Sequence, residues 1–122
     1  MKPVSVLVID DEQVICDACR LVLSEAGHTV TATATGEEGL AAIHRGGYDI
    51  VLLDMKLPDM DGMEILRAVR EEKIALCIIV MTGYSSISNA VQAIKQGASD
   101  YLAKPFTDDE LLETIDKACG RK

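Results

Sequence analysis

Aromatic side chains are scarce: the chain has no Trp, one Phe and three Tyr. That leaves little material for stacking on bases or sugar rings. Positive charge is also short, with 12 Lys and Arg against 20 Asp and Glu, a formal net charge of −8 and a pI near 4.6. A phosphate backbone or an anionic membrane surface would repel such a chain, so general nucleic-acid binding and lipid-surface binding are excluded as its activity. Long apolar runs are missing too. The longest uncharged one, Ile74 to Met81, has eight residues, against about twenty for a membrane-spanning helix. The N-terminal apolar stretch ends at Ile9 and is followed by Asp10-Asp11-Glu12. It is too short, and wrongly flanked, for a signal peptide, so a cytoplasmic location is expected. The four Cys then read as reduced thiols. Cys16 and Cys19 form a CxxC, but on a helical pattern with no second pair at zinc spacing, and core packing is their expected role.

What is present is enough apolar residue, 48% of 122 positions, for one core in one domain spanning residues 1–122. Two periodicities alternate along it. Short β-rich runs fall at Ser5–Ile9, Thr29–Ala32, Ile50–Leu53, Cys77–Met81 and Asp100–Ala103. Most are continuous Val, Ile and Leu, as suits strands buried on both faces of a parallel sheet. Between them run helical stripes: Val14, Ala18, Leu21 and Val22; Ile87, Ala90, Val91 and Ile94; Leu111, Leu112, Ile115, Ala118 and Cys119. Thr35-x-x-Glu38 and Thr107-x-x-Glu110 read as capping boxes, and Gly27, Gly46, Gly97 and Gly120 as helix stops. There is no internal repeat, linker or low-complexity segment. The pattern predicts an α/β fold, a doubly wound (βα)5 parallel sheet with helices on both faces.

Ligands of such sheets bind beyond the carboxyl ends of the strands. Those positions hold Asp10-Asp11 after the first strand, Asp54 after the third, Thr82-Gly83 after the fourth and Lys104-Pro105 after the fifth. Taken singly, Asp10 or Asp11 serves equally as a helix N-cap, Asp54 as a turn residue, Thr82 as a strand-end Thr and Lys104 as a solvated lysine. Asp59 and Asp61, in the Pro58-Asp59-Met60-Asp61-Gly62 loop, read as turn and cap residues rather than ligands. Taken together, three carboxylates at one edge would repel one another, and a hard divalent cation such as Mg2+ relieves that repulsion. With the Lys104 ammonium and the Thr82 hydroxyl, they describe a place where a tetrahedral anion is held against a carboxylate able to form an acyl phosphate.

The segments VLVIDDE, VLLDMKLPDMDG, IIVMTGYSS and GASDYLAKPF resemble, in order and spacing, the receiver domain of two-component response regulators, over Ser5 to Cys119. The resemblance implies the flavodoxin-like strand order 2-1-3-4-5. It implies Asp54 as phosphoacceptor and Mg2+ bound directly by Asp11, through water by Asp10, and by Asp54 and the Lys56 carbonyl. Lys104 is then the active-site lysine, before Pro105 in a typically cis bond, Thr82 the switch hydroxyl and Tyr101 the switch aromatic. Lys56 and Tyr84 would flank the path of the hydrolytic water and tune the signal's lifetime. Implied partners are a histidine kinase that donates the phosphoryl group, and an output domain or effector engaged through a face carrying Ser88, Gln92, Lys95, Asp100, Tyr101 and parts of Thr107–Lys117. A phosphorylation-dependent homodimer is also implied, with no direct nucleic-acid or membrane partner. The segment MTGYSSISNAVQAIKQGASDYLAKPF is most similar to receivers of NtrC-type transcriptional activators; a stand-alone receiver or one in a hybrid kinase is the alternative.

Two other classes share parts of this pattern. Aspartate-nucleophile phosphatases use Mg2+ but carry D-x-D after the first strand, where this chain has Asp10-Asp11-Glu12. A flavodoxin-type module needs a hydroxyl- and glycine-rich loop there, and the three carboxylates would repel a flavin phosphate. A purely structural interaction domain would have no use for the assembled set. The chain ends at Lys122, so one receiver with no effector segment is the expectation.

Overall fold

Five strands alternate with five helices: β1 (Ser5–Ile9), α1 (Gln13–Glu25), β2 (Thr29–Thr33), α2 (Gly36–Arg45), β3 (Ile50–Asp54), α3 (Gly62–Glu71), β4 (Cys77–Thr82), α4 (Ile87–Lys95), β5 (Asp100–Ala103) and α5 (Asp108–Gly120). The structure, a computed structural model, describes residues 3–83 and 87–120. All four strand pairings are parallel, in the order β2-β1-β3-β4-β5. This is the flavodoxin-like order that the resemblance implied.

The continuous apolar strands follow from burial on both faces. Leu7, Ile9, Val51, Leu53, Ile78 and Val80 pack with Ala42 and Ile43 of α2, Ile65, Leu66 and Val69 of α3, and Ala93 of α4. The alternate residues Val6, Val8, Ile50, Leu52, Ile79 and Met81 pack with Cys16, Cys19 and Leu23 of α1 and Leu111 and Ile115 of α5. Two cores therefore sandwich one sheet, and β3 at its centre is buried at every position. At about 1.5–3 kcal/mol for each fully buried large aliphatic side chain, these two cores supply most of the driving force.

Most of the punctuation formed as the sequence suggests, although Gly120 is still a helical residue of α5 rather than a stop beyond it. Glu110 N–H donates to Thr107 Oγ1 (3.1 Å) while Thr107 N–H donates to Glu110 Oε1 (2.8 Å), a complete box. At α2 the Thr35 hydroxyl accepts from Glu38 N–H, but the Glu38 carboxylate reaches one residue further back, to Ala34 N–H. Gly46 and Gly97 leave their helices at φ 82° and 114°, values that disfavour any residue with a Cβ.

Three strand ends and the faces of two helices differ from the sequence expectation. Strands β2, β3 and β4 each run one residue further than the sequence pattern predicts, so Asp54 and Thr82 are the last paired residues of their strands rather than loop residues. The face of α1 also differs. Val14 and Leu21 are 77% and 62% exposed and Ala18 is exposed, while Cys16, Cys19, Val22 and Leu23 are buried. Both faces of α1 carry helical apolar spacing, and the packed one is that of the cysteines, where Cys16 Sγ donates to Asp10 O at 3.2 Å. The cysteines take the core role expected of them. Burial raises the Cys16 thiol and pushes Cys19 up to about 12, which keeps both as unreactive thiols. On α4, Ala90 is buried as expected but Val91 and Ile94 are 49% and 43% exposed. The α5 stripe holds at Leu111 and Ile115, with Leu112 and Ala118 half-buried. The side chains of Ile87 and Cys119 lie outside those described.

Candidate functional site

The carboxyl ends of β1, β3, β4 and β5 open on a cleft of about 760 Å3, lined by Asp11, Glu12, Asp54, Lys56, Thr82 and Lys104 among others. Each side chain is set by the backbone below it. Asp10 follows β1 and still donates its N–H to Thr33 O at 3.1 Å, so it continues the ladder; it is fully buried. Asp54 pairs with Met81 and is 8% exposed. Thr82 is 5% exposed, and its carbonyl accepts from Lys104 N–H at 2.7 Å, which fixes where the lysine leaves β5. The Lys104–Pro105 bond is cis, as expected.

Lys104 is the hub. Its Nζ lies 2.7 Å from Glu12 Oε1, 2.8 Å from Asp10 Oδ2 and 3.6 Å from Asp54 Oδ1. Burial alone would lower its pKa, but the carboxylates of Asp10 and Glu12 against the ammonium carry it above the usual lysine range. Asp54 is raised as well, which for a carboxylate favours the neutral form: burial and then the charge of Asp10 push it up to about 6, against Lys104 and the Lys56 N–H, which favour the ion. That N–H donates to Asp54 Oδ1 at 3.3 Å.

The loop after β3 is braced for close approach. Gly62 N–H donates to Met55 O at 2.9 Å, and Lys56 bridges Asp61 across it. A Cβ on Gly62 would lie 2.8 Å from Met55 Cα and 3.0 Å from Asp54 O, so only glycine lets α3 start this near the acceptor strand. Asp61 caps α3 in a full box with Glu64. Asp59 caps a different helix, accepting from Gly36 N–H (2.8 Å) and Glu37 N–H (2.9 Å) at the start of α2, and these bonds hold its carboxyl below the usual range. The turn-and-cap reading of both residues is therefore right, with the helix of Asp59 unforeseen.

The residues fit a divalent cation. Asp10, Glu12 and Asp54 can bring one carboxylate oxygen each within 4.8 Å of one another. Asp10 Oδ1 accepts from Glu12 N–H at 2.9 Å, while Oδ2 is buried with the Lys104 ammonium 2.8 Å away as its partner and a lone pair left over. A buried carboxylate oxygen left in that condition, beside a second buried carboxylate, suits a hard cation with oxygen ligands. Asp11 is exposed and lines the cleft outside this group. Sequence reasoning left Glu12 out of the site; its place two residues after Asp10 was the available signal.

Tyr101 is 48% exposed on β5, away from the cleft, with its strand position paired to Val80. Ser88, Gln92 and Lys95 on α4 are exposed, and Lys117 Nζ lies 3.7 Å from Asp100 Oδ2. Tyr84 lies outside the described residues. Among the described residues no helix is long and apolar enough to cross a membrane.

Comparison with known proteins agrees with this geometry. The transcriptional regulatory protein ZraR of Salmonella typhimurium is 36% identical over 115 residues, covering 94% of this chain and 26% of that protein. The cell cycle response regulator CtrA of Brucella ovis is 40% identical over 110 residues, 90% of this chain and 47% of its own length. The crystal structure of NtrX from Brucella abortus superposes with a TM-score of 0.90 at 32% identity, over 96% of this chain and 27% of that one. The chain spans about a quarter to a half of the length of these relatives. Residues 6–116 match the family described as the response regulator receiver domain, and with Asp54, Asp10, Thr82 and Lys104 gathered at the ends of the strands, the chain belongs to that family.

Proposed function

We propose that this receiver, a component of two-component signalling, accepts a phosphoryl group on Asp54 from the phosphohistidine of a partner kinase. The observation that carries the reading is the Lys104 ammonium, 3.6 Å from the Asp54 carboxylate at the mouth of the cleft. A carboxylate oxygen of Asp54 attacks phosphorus, the P–N bond to the kinase imidazole breaks, and the imidazole nitrogen keeps the electron pair and takes up a proton. Catalysis of this kind is positional and electrostatic. The Lys56 N–H orients the acceptor oxygen, the Lys104 ammonium neutralises negative charge on the transferred group, and the Thr82 hydroxyl donates a hydrogen bond to it. Mg2+, when bound, supplies further charge neutralisation and oxygen coordination. Asp10, Asp11 and Asp54 with the Lys56 carbonyl would hold it, and Glu12 belongs to the same carboxylate group. Water then hydrolyses the acyl phosphate, with Lys56 and Tyr84 tuning the rate.

Signal leaves through α4, β5 and α5. Inward movement of Thr82 toward the phosphoryl oxygens makes room for Tyr101 to rotate in, shifting the population of this face. Val91, Ile94 and Tyr101 are large apolar groups already exposed there, which supports its use by an output domain, an effector or a second copy of the chain. The relative named as a transcriptional regulatory protein, with the resemblance to receivers of NtrC-type activators, favours transcription control as the output, in the cytoplasm, with any DNA contact made by another segment. Treatment with a small phosphodonor such as phosphoramidate plus Mg2+, followed by intact-mass measurement, tests the reading. One phosphoryl adduct is expected on the parent and none on Asp54→Asn; an adduct that survives that substitution refutes it.

A further inference from the structure

Glu12 does not play the part that its place in the chain suggests. It is the N-cap residue of α1, where a side-chain oxygen ordinarily accepts from an amide of the first turn, yet it makes no such bond. Its Oε1 instead accepts a hydrogen bond from Lys104 Nζ at 2.7 Å, from the far end of the sheet's chain order. The ammonium is thereby held between Glu12 and Asp10, with Asp54 the most distant of the three carboxylates. Asp10 and Asp54 are buried while the Glu12 side chain is 58% exposed. Glu12 is the one member of the group that can release Lys104 into water without stranding a buried charge.

We propose that Glu12 is a positioning residue, a releasable tether that keeps the Lys104 ammonium on the Asp10 side of the cleft until an anionic group on Asp54 claims it. The proposal rests on the phosphoacceptor reading and adds to it a restraint on the resting state. An anion on Asp54 draws Lys104 across the 3.6 Å gap; Asp10, fixed at the end of its strand, remains within reach, and the Glu12 contact is the one that lengthens. Removing the tether favours the anion-bound state by the worth of one partly exposed ion pair, about two- to fivefold in affinity.

Glu12→Gln and Glu12→Asp test this with two measurements. In metal-free protein, the NMR signal of the Lys104 ammonium, assigned by its loss in Lys104→Arg, is expected to be slowly exchanging in the parent and lost or shifted in Glu12→Gln. At saturating Mg2+, titration with beryllofluoride is expected to reach half-saturation at about two- to fivefold lower concentration in Glu12→Gln, with Glu12→Asp, one methylene short, in between. An unchanged ammonium signal with an unchanged titration in Glu12→Gln overturns the tether. A Glu12→Asp titration identical to the parent also overturns it, because a general charge effect would then suffice. A parent that binds no beryllofluoride while its Lys104 signal still responds to Glu12 overturns the phosphoacceptor reading and leaves the tether contact standing.

Discussion

Replacing Asp54 by Asn is expected to stabilise the metal-free protein substantially. The Asp54 side chain is 11% exposed, and its carboxyl is pushed from 3.8 up to about 6, first by burial and then by Asp10. The folded state therefore holds the proton more tightly than the unfolded chain, so stability is fully present below 3.8 and is lost as pH rises through about 6. At about 1.4 kcal/mol per pH unit, the deficit at neutral pH is about 3 kcal/mol. Asn keeps the shape and an acceptor oxygen for the Lys56 N–H but carries no charge to desolvate. For a chain of this length about 1 kcal/mol moves Tm by about 4 °C, so Asp54→Asn should melt about 10 °C above the parent in EDTA. The assay is calorimetry of both proteins in EDTA from about pH 4 to neutrality, repeated with Mg2+. The advantage should vanish toward pH 4. It should also narrow with Mg2+, because a cation at a hundredfold its Kd adds about 2.7 kcal/mol to whichever protein binds it, and the parent binds it better. A variant no more stable than the parent in EDTA at neutral pH, or an advantage that does not change with pH, refutes the reasoning.

Three further outcomes follow from packing and capping. Leu23→Ala should cost about 2–5 kcal/mol in urea denaturation, while Leu21→Ala, two residues away on the exposed face, should cost less than about 0.5 kcal/mol; equal losses would mean that α1 is rotated from the orientation described. Gly62→Ala forces a Cβ against Met55 Cα and Asp54 O, so it should lose about 1–3 kcal/mol and slow phosphorylation of Asp54 in a timed mass assay. Asp59→Asn should flatten the acid side of the stability–pH curve. The parent's Asp59 sits below its ordinary value through the Gly36 and Glu37 amides, a contribution present above pH 3.8 and lost as pH falls through the lower folded value; a variant curve that parallels the parent's counts against the α2 cap.

The order of elements and the identity of the strand-end residues were legible because both depend on local chemistry: unbroken Val/Ile/Leu runs, capping boxes and glycine stops. Strand ends were placed one residue short at Ala32, Leu53 and Met81 because a polar Thr or Asp reads as punctuation, although hydrogen-bond pairing does not depend on the side chain. The α1 face was misread because Val14, Ala18 and Leu21 satisfy helical spacing as well as Cys16, Cys19 and Leu23 do. Periodicity reports that a stripe exists, but not which of two stripes faces the sheet. Glu12 was missed for a similar reason, since its contact partner lies 92 residues away in sequence.

The pleat of the sheet accounts for which acidic residues meet. Along β1, Val6 and Val8 face α1 and α5 while Leu7 and Ile9 face the opposite core; along β3, Ile50 and Leu52 face α1 and α5. Successive side chains alternate faces, so Asp10 and Asp54 continue the α1-side rows of two hydrogen-bonded neighbours, β1 and β3. They converge under the first turn of α1, where Cys16 Sγ already donates to Asp10 O at 3.2 Å. Asp11 falls on the opposite parity and is exposed, while Glu12, two residues on, returns to the Asp10 side at the helix start. Thr82 belongs to the row of Ile78 and Val80, which face the other core, so hydroxyl and carboxylates approach the cleft from different sides. The same alternation that builds two apolar cores thus concentrates buried negative charge on one side of the strand ends, where the ammonium of Lys104 opposes it. With two of those carboxylates fixed by strand backbone and the third on a helix cap, the charge balance of the resting site can be adjusted by movement at Glu12 or Lys104, by protonation of Asp54, or by a ligand that brings positive charge with it.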